Sequence, residues 1–107
     1  MAYEVYVIDG KDYGKLDKFL SADPYADDSF KKLGYVLKES KAVGLAGGSY
    51  VLFFESVDAA LLARLAKKLT AEIASAQKAD AATAEKIHGQ IEQEEDNATA
   101  GFGSIFG

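Results

Sequence analysis

The chain has 107 residues, a formal charge of −5 and no cysteine. That length is one domain's worth, enough to bury a modest core without metal or disulfide staples. The missing thiol excludes a disulfide framework, a cysteine-ligated zinc or iron–sulfur centre and a thiol nucleophile, and a single histidine, His88, excludes any site that needs two imidazoles.

Residues 3–8 are rich in β-branched and aromatic side chains, with Val5 and Val7 on one face, and read as a strand. Residues 9–12 read as a turn, with Gly10 free to take a positive φ. Leu16, Phe19 and Leu20 stand at i, i+3, i+4 and predict a short helix over 13–21. Asp12 is its expected N-cap, and Asp23-Pro24 ends it. Residues 27–45 fit two patterns. In one, Phe30, Leu33, Val36 and Leu37 form a helical stripe begun by Asp27, Asp28 or Ser29 and closed by Gly44. In the other, a helix near 28–34 precedes a strand near 35–43, which forms a hairpin with the next strand across residues 46–49. Gly34, weak inside a helix, favours the second.

Residues 49–55 are apolar on both faces and are expected to lie centrally in a sheet. Ser56 is the expected cap of a long helix over 57–77, with Leu61, Leu62, Leu65, Leu69 and Ile73 as its core stripe. Asp80 begins a further helix with Ala84, Ile87 and Ile91 on one face. That stripe is thin and is expected to bury little. Gly89 costs it about 1 kcal/mol relative to alanine. From Glu92 onward the acidic run and small residues read as disordered. The expected organisation is an α+β domain at 1–78, an acidic helix or linker at 79–96 and a flexible tail at 97–107 with an apolar terminal motif. The domain is a small sheet covered by helices, with an order that can be that of a ferredoxin-like βαββα.

The chemistry is sparse. Gly44-Leu45-Ala46-Gly47-Gly48-Ser49 lacks the lysine of a phosphate loop and precedes a strand, so it reads as a hairpin turn. The carboxylate pairs Asp9/Asp12 and Asp27/Asp28 have no apolar neighbours to force burial, and turn and cap chemistry accounts for them. His88 reads as a solvated side chain on a polar helix. Lys31-Lys32 and Lys67-Lys68 read as exposed helical faces. These negatives argue against an enzyme: no catalytic residue, metal ligand or cofactor is read from the sequence. The apolar run at 50–54 is five residues, far short of the ~20 of a membrane-spanning helix. Residues 1–4 carry no basic start ahead of an apolar stretch, so no secretion signal is read. A cytoplasmic protein with no membrane partner is expected.

The charge is uneven. Residues 1–78 hold 11 basic and 11 acidic side chains, whereas residues 79–107 hold Lys86 against six acidic groups. The neutral body gives no strong direct nucleic-acid signal, and the acidic end would repel phosphates. Beyond the acidic run, Phe102, Ile105 and Phe106 stand at i, i+3, i+4, one face of a helical turn. An acidic tether ending in three large apolar residues fits helix-in-groove recognition by a segment that folds on binding. Each such residue can contribute roughly 1.5–3 kcal/mol in a groove before ordering costs.

Residues 92–107 resemble the C-terminus of the archaeal ribosomal stalk proteins, an acidic linker followed by a Gly-Leu-Ser/Gly-Ala-Leu-Phe-Gly type peptide. Gly101, Phe106 and Gly107 stand where that family has Gly, Phe and Gly, and Phe102 and Ile105 stand where it has leucines. The resemblance implies that Phe102, Ile105 and Phe106 dock into a translational GTPase or recycling factor, as the stalk's apolar triplet does. Stalk proteins begin with an all-helical dimerisation domain and an alanine-rich hinge, whereas residues 1–77 here read as α+β. The chain is therefore read as a separate ribosome- or translation-factor-associated protein with a stalk-like tail. It would recruit the factor or compete with the stalk for it, the competing form being a dormancy factor. The alternative is a small regulatory domain that binds a ligand or dimerises.

Overall fold

A computed structural model describes residues 2–23 and 25–95 in full, together with the backbone of the last helix to Phe106. The elements in chain order are β1 (Ala2–Asp9), α1 (Tyr13–Ser21), α2 (Phe30–Leu33), β2 (Val36–Glu39), β3 (Ser49–Ser56), α3 (Ala59–Glu72), β4 (Gln77–Lys78) and α4 (Ala81–Phe106). The sheet order is β2-β3-β1-β4, with every neighbouring pair antiparallel. The class is α+β, and the order is the split βαβ arrangement of ferredoxin-like domains. It contains one strand more than expected. The predicted helix to residue 77 ends instead at Glu72, capped by Ile73, whose N–H donates to Leu69 O at 2.8 Å. The chain then turns back to lay Gln77 and Lys78 beside Val7 and Tyr6.

β1 and β3 are matched along their whole length, from Ala2 opposite Ser56 to Asp9 opposite Ser49. Beyond the last pair, Gly10 N–H donates to Gly48 O at 2.8 Å. A Cβ on Gly10 would lie 2.7 Å from that oxygen, so the close approach requires glycine. β3 lies between β2 and β1, the central place expected of it.

Alternation along β1 and β3 creates two apolar faces. Tyr6, Ile8, Leu52 and Phe54 meet Leu16 and Leu20 of α1, Phe30 of α2, and Leu62, Leu65 and Leu69 of α3. Phe30 stands edge-on to Phe54, with centroids 4.9 Å apart and planes at 83°, a favoured aromatic geometry. Val5, Val51 and Phe53 point to the other face, where they pack with Val43 and with Ile87 and Ile91 of α4. Ile87 is 1% exposed and Ile91 4%. This corrects the expectation that the last helix buries little. Two isoleucines one turn apart suffice because they land on a flat sheet face, which needs only a narrow stripe. The helix also continues through Glu92, Glu94 and Glu95, residues expected to be disordered, and the packed unit runs on to Ile91.

Several local details differ from expectation. α3 is capped by Asp58, which accepts from the N–H groups of Ala60 and Leu61; Ser56 Oγ accepts from Asp58 N–H instead. α2, by contrast, is capped by Ser29, one of its three expected starts. Asp12 makes no cap hydrogen bond to α1. Its carboxylate accepts from the Ser75 hydroxyl at 2.6 Å, and Ser75 Oγ accepts from Asp9 N–H. β2 is shorter than 35–43, because a 3-10 turn, Ser40–Val43, follows it and ends at Gly44 with φ 84°. Among the described residues no helix is long and apolar enough to cross a membrane.

Candidate functional site

Of the residues to which the sequence assigns partner binding, Gly101, Phe102, Ile105 and Phe106 are described by backbone alone, and Gly107 lies altogether outside the described residues. The described residues show where that segment is rooted. α4 begins at Asp80, which accepts from Thr83 N–H at 2.7 Å. Bonds from the Thr83 backbone, then from its hydroxyl, hold the Asp80 carboxyl below its ordinary range. One turn on, Lys86 Nζ lies 3.2 Å from where a Cβ on Gly44 would stand. Gln90 Nε2 donates to Val43 O at 3.3 Å. Lys38 of β2 forms an ion pair with Glu94.

His88 occupies the middle of this contact. Its ring stacks on Tyr3 of β1 with centroids 4.1 Å apart and planes 11° from parallel, and on Phe53 of β3 at 5.7 Å and 20°. Its Nε2 lies 3.1 Å from Glu92 Oε1. The expectation of a solvated His88 is thus corrected. The signal was present in the spacing, since His88 follows Ala84 by four and precedes Ile91 by three, on the buried stripe. At the sheet edge beside it, Tyr3, Glu4, Lys78, Ala84, Glu85 and His88 line a groove of about 480 Å3. Glu4 Oε2 makes no hydrogen bond there, although Lys78 Nζ lies 3.3 Å away. Burial foremost, with Glu4 adding to it and Lys78 opposing, raises the Tyr6 phenol.

A second groove of about 420 Å3 lies among α1, α2 and α3, floored by Phe19, Phe30 and Leu65. Asp28 Oδ2 there pairs with Lys68 Nζ at 2.7 Å, while Asp27 pairs with Lys32. Each lysine, through its hydrogen bond first and its charge second, holds its own aspartate below the usual carboxylate range. The Gly44–Ser49 segment uses its polar atoms internally. Ser40 Oγ donates to Ala46 O and accepts from Ser49 N–H, and Gly48 O receives Gly10 N–H. Among the described residues no three acidic or histidine side chains are grouped to hold a metal ion.

No family model, curated protein or solved structure matches this chain.

Proposed function

We propose that this is a cytoplasmic archaeal protein associated with the ribosome or its factors, acting by binding rather than catalysis. Its terminal peptide engages a translational GTPase or recycling factor, recruiting it or competing with the stalk for it. The observation that carries this reading is the order of residues at the terminus: an acidic run, then Gly101, Phe102, Ile105, Phe106 and Gly107. Packing supports it. The acidic run begins directly after Ile91, the last buried anchor among the described residues of α4, so the motif follows a helix fastened to a folded body. An exposed acidic spacer keeps such a motif soluble until a groove takes its apolar face.

The test is calorimetric titration of a peptide spanning residues 92–107 into an archaeal elongation factor, with Phe106→Ala as control. Binding in the micromolar range, about −8 kcal/mol, that disappears in the control is the expected result. Absence of binding for both peptides overturns the reading. Added stalk protein then separates the two modes, since a competitor is displaced by it.

A further inference from the structure

Tyr3 and Phe53 stand side by side on the two central strands, ring centroids 5.8 Å apart and planes at 30°. The side chain laid over them is a flat heteroaromatic ring, the His88 imidazole. On the same face α4 places the Glu94 carboxylate on Lys38 and the Glu92 carboxylate beside His88. A planar ring on a tyrosine, and an anionic group on a lysine of the same face in the row of Val51 and Val7, are the two kinds of contact that single-stranded nucleic acid makes with a sheet. The base stacks on the aromatic and the phosphate meets the cation.

The cover that makes these contacts is held by a short set of them: two isoleucines, the His88 stack, the Gln90–Val43 hydrogen bond and the Lys38–Glu94 pair. Among its described residues Ile87 and Ile91 are the buried apolar anchors, and Gly89 between them weakens the helix on its own. Charge separates cover from platform as well. Residues 1–78 are balanced at 11 basic and 11 acidic side chains, and the whole −5 belongs to residues 79–107. Lifting α4 removes that negative charge from the sheet. It leaves Lys38 on the face and Lys41 in the following turn, with Glu55 directly across from Tyr3 on that same face, while Lys78, opposite Tyr6, and Glu4 belong by alternation to the other face of the sheet.

We infer that the face formed by Tyr3, Phe53 and Lys38 is a platform for single-stranded nucleic acid, and that α4 is its built-in competitor. His88 stands in for a stacked base and Glu94 for a phosphate. Such a site is closed in the resting protein and opens when α4 is drawn off the sheet. The inference stands apart from the reading of the terminal peptide, because its ligand, surface and test are different.

The test measures fluorescence anisotropy of a labelled oligoadenylate of about eight nucleotides, as RNA and as DNA. The full-length chain is compared with an Ile87→Ser/Ile91→Ser variant. Hydrogen exchange on the same samples checks that α4 is open and α1–α3 remain protected. The opened variant should bind at least about tenfold more tightly than the wild type. The gain should vanish when Tyr3→Leu is added and should weaken with salt. Comparing the RNA and DNA arms shows whether the 2′-hydroxyl is read. An open α4 with no gain in either arm overturns the inference, as does a gain that survives Tyr3→Leu. Self-association of the opened variant without oligonucleotide binding also overturns it, since the face then serves a second copy. If the double variant does not fold, His88→Ala/Glu94→Gln keeps both isoleucines and removes only the stand-in groups. That variant must then show the gain for the inference to stand.

Discussion

The His88 ring lies on the Tyr3 ring, 4.1 Å away and 11° from parallel. This contact ties the first strand to the last helix. Stacked aromatic pairs contribute about 0.5–1.5 kcal/mol beyond area burial. His88→Ala should therefore leave the global transition nearly unchanged and speed amide exchange within α4. Native-state hydrogen exchange resolved by segment checks this. Equal acceleration across α1, α3 and α4 would show that the stack supports the whole domain.

The two faces of the sheet should respond differently to truncation. Leu65 and Ile87 are both fully buried, but on opposite sides. Removing either side chain costs about 2–5 kcal/mol where it must leave a cavity. Leu65→Ala should lower the urea midpoint of the whole domain. Ile87→Ala has an escape, because α4 can detach as a unit. Its loss should appear as early opening of α4 ahead of the main transition. One coincident transition for Ile87→Ala by fluorescence and far-ultraviolet dichroism would argue against that independence.

Gly10→Ala should destabilise by about 1–3 kcal/mol, the usual cost of forcing atoms into an occupied site. Its Cβ would meet the Gly48 carbonyl oxygen at 2.7 Å, and backbone cannot swing aside as a side chain can. Gly14→Ala is the control, since nothing lies within 4 Å of its Cβ. Thermal melts of the two variants decide the matter, and an unchanged midpoint for Gly10→Ala would mean that the turn yields.

The Asp28–Lys68 pair predicts a definite pH dependence. Lys68 lowers the Asp28 pKa in the folded state. The contribution of the pair is therefore present above the unfolded value, about 3.9, and is lost as pH falls through the lower folded value. Asp28→Asn should reduce the melting temperature at about pH 7, and the gap should shrink as the pH falls toward about 2. The pair is exposed, so the gap at neutral pH will be small. An equal gap at both pH values would assign the effect to packing.

The elements legible in the sequence were those with a strong period. Val5, Val7 and residues 49–55 specify β1 and β3, and the leucine stripe specifies α3. β4 was hidden because its partner lies about seventy residues away, at Tyr6 and Val7, and no local pattern in Gln77-Lys78 marks it. α4 was underestimated for a related reason. An isoleucine pair looks thin until one sees the Val5, Val51 and Phe53 face that receives it. His88 was misread because polar neighbours in sequence said nothing of Tyr3 and Phe53 in space. Competition between nearby hydroxyl and carboxylate groups misplaced the caps. Ser56 and Asp58 are two residues apart, and both are capping types.

The full pairing of β1 with β3 has a consequence for synthesis. β1 is made before both of its neighbours, Ser49–Ser56 on one side and Gln77–Lys78 on the other. A growing chain therefore carries a strand rich in valine and tyrosine with both edges open until Ser49–Ser56 has been made. Distant partners of this kind slow folding, because a long loop must close before the contact rewards it. During that interval the strand is open to stray pairing, and the speed with which β3 reaches it bears on the yield of folded protein.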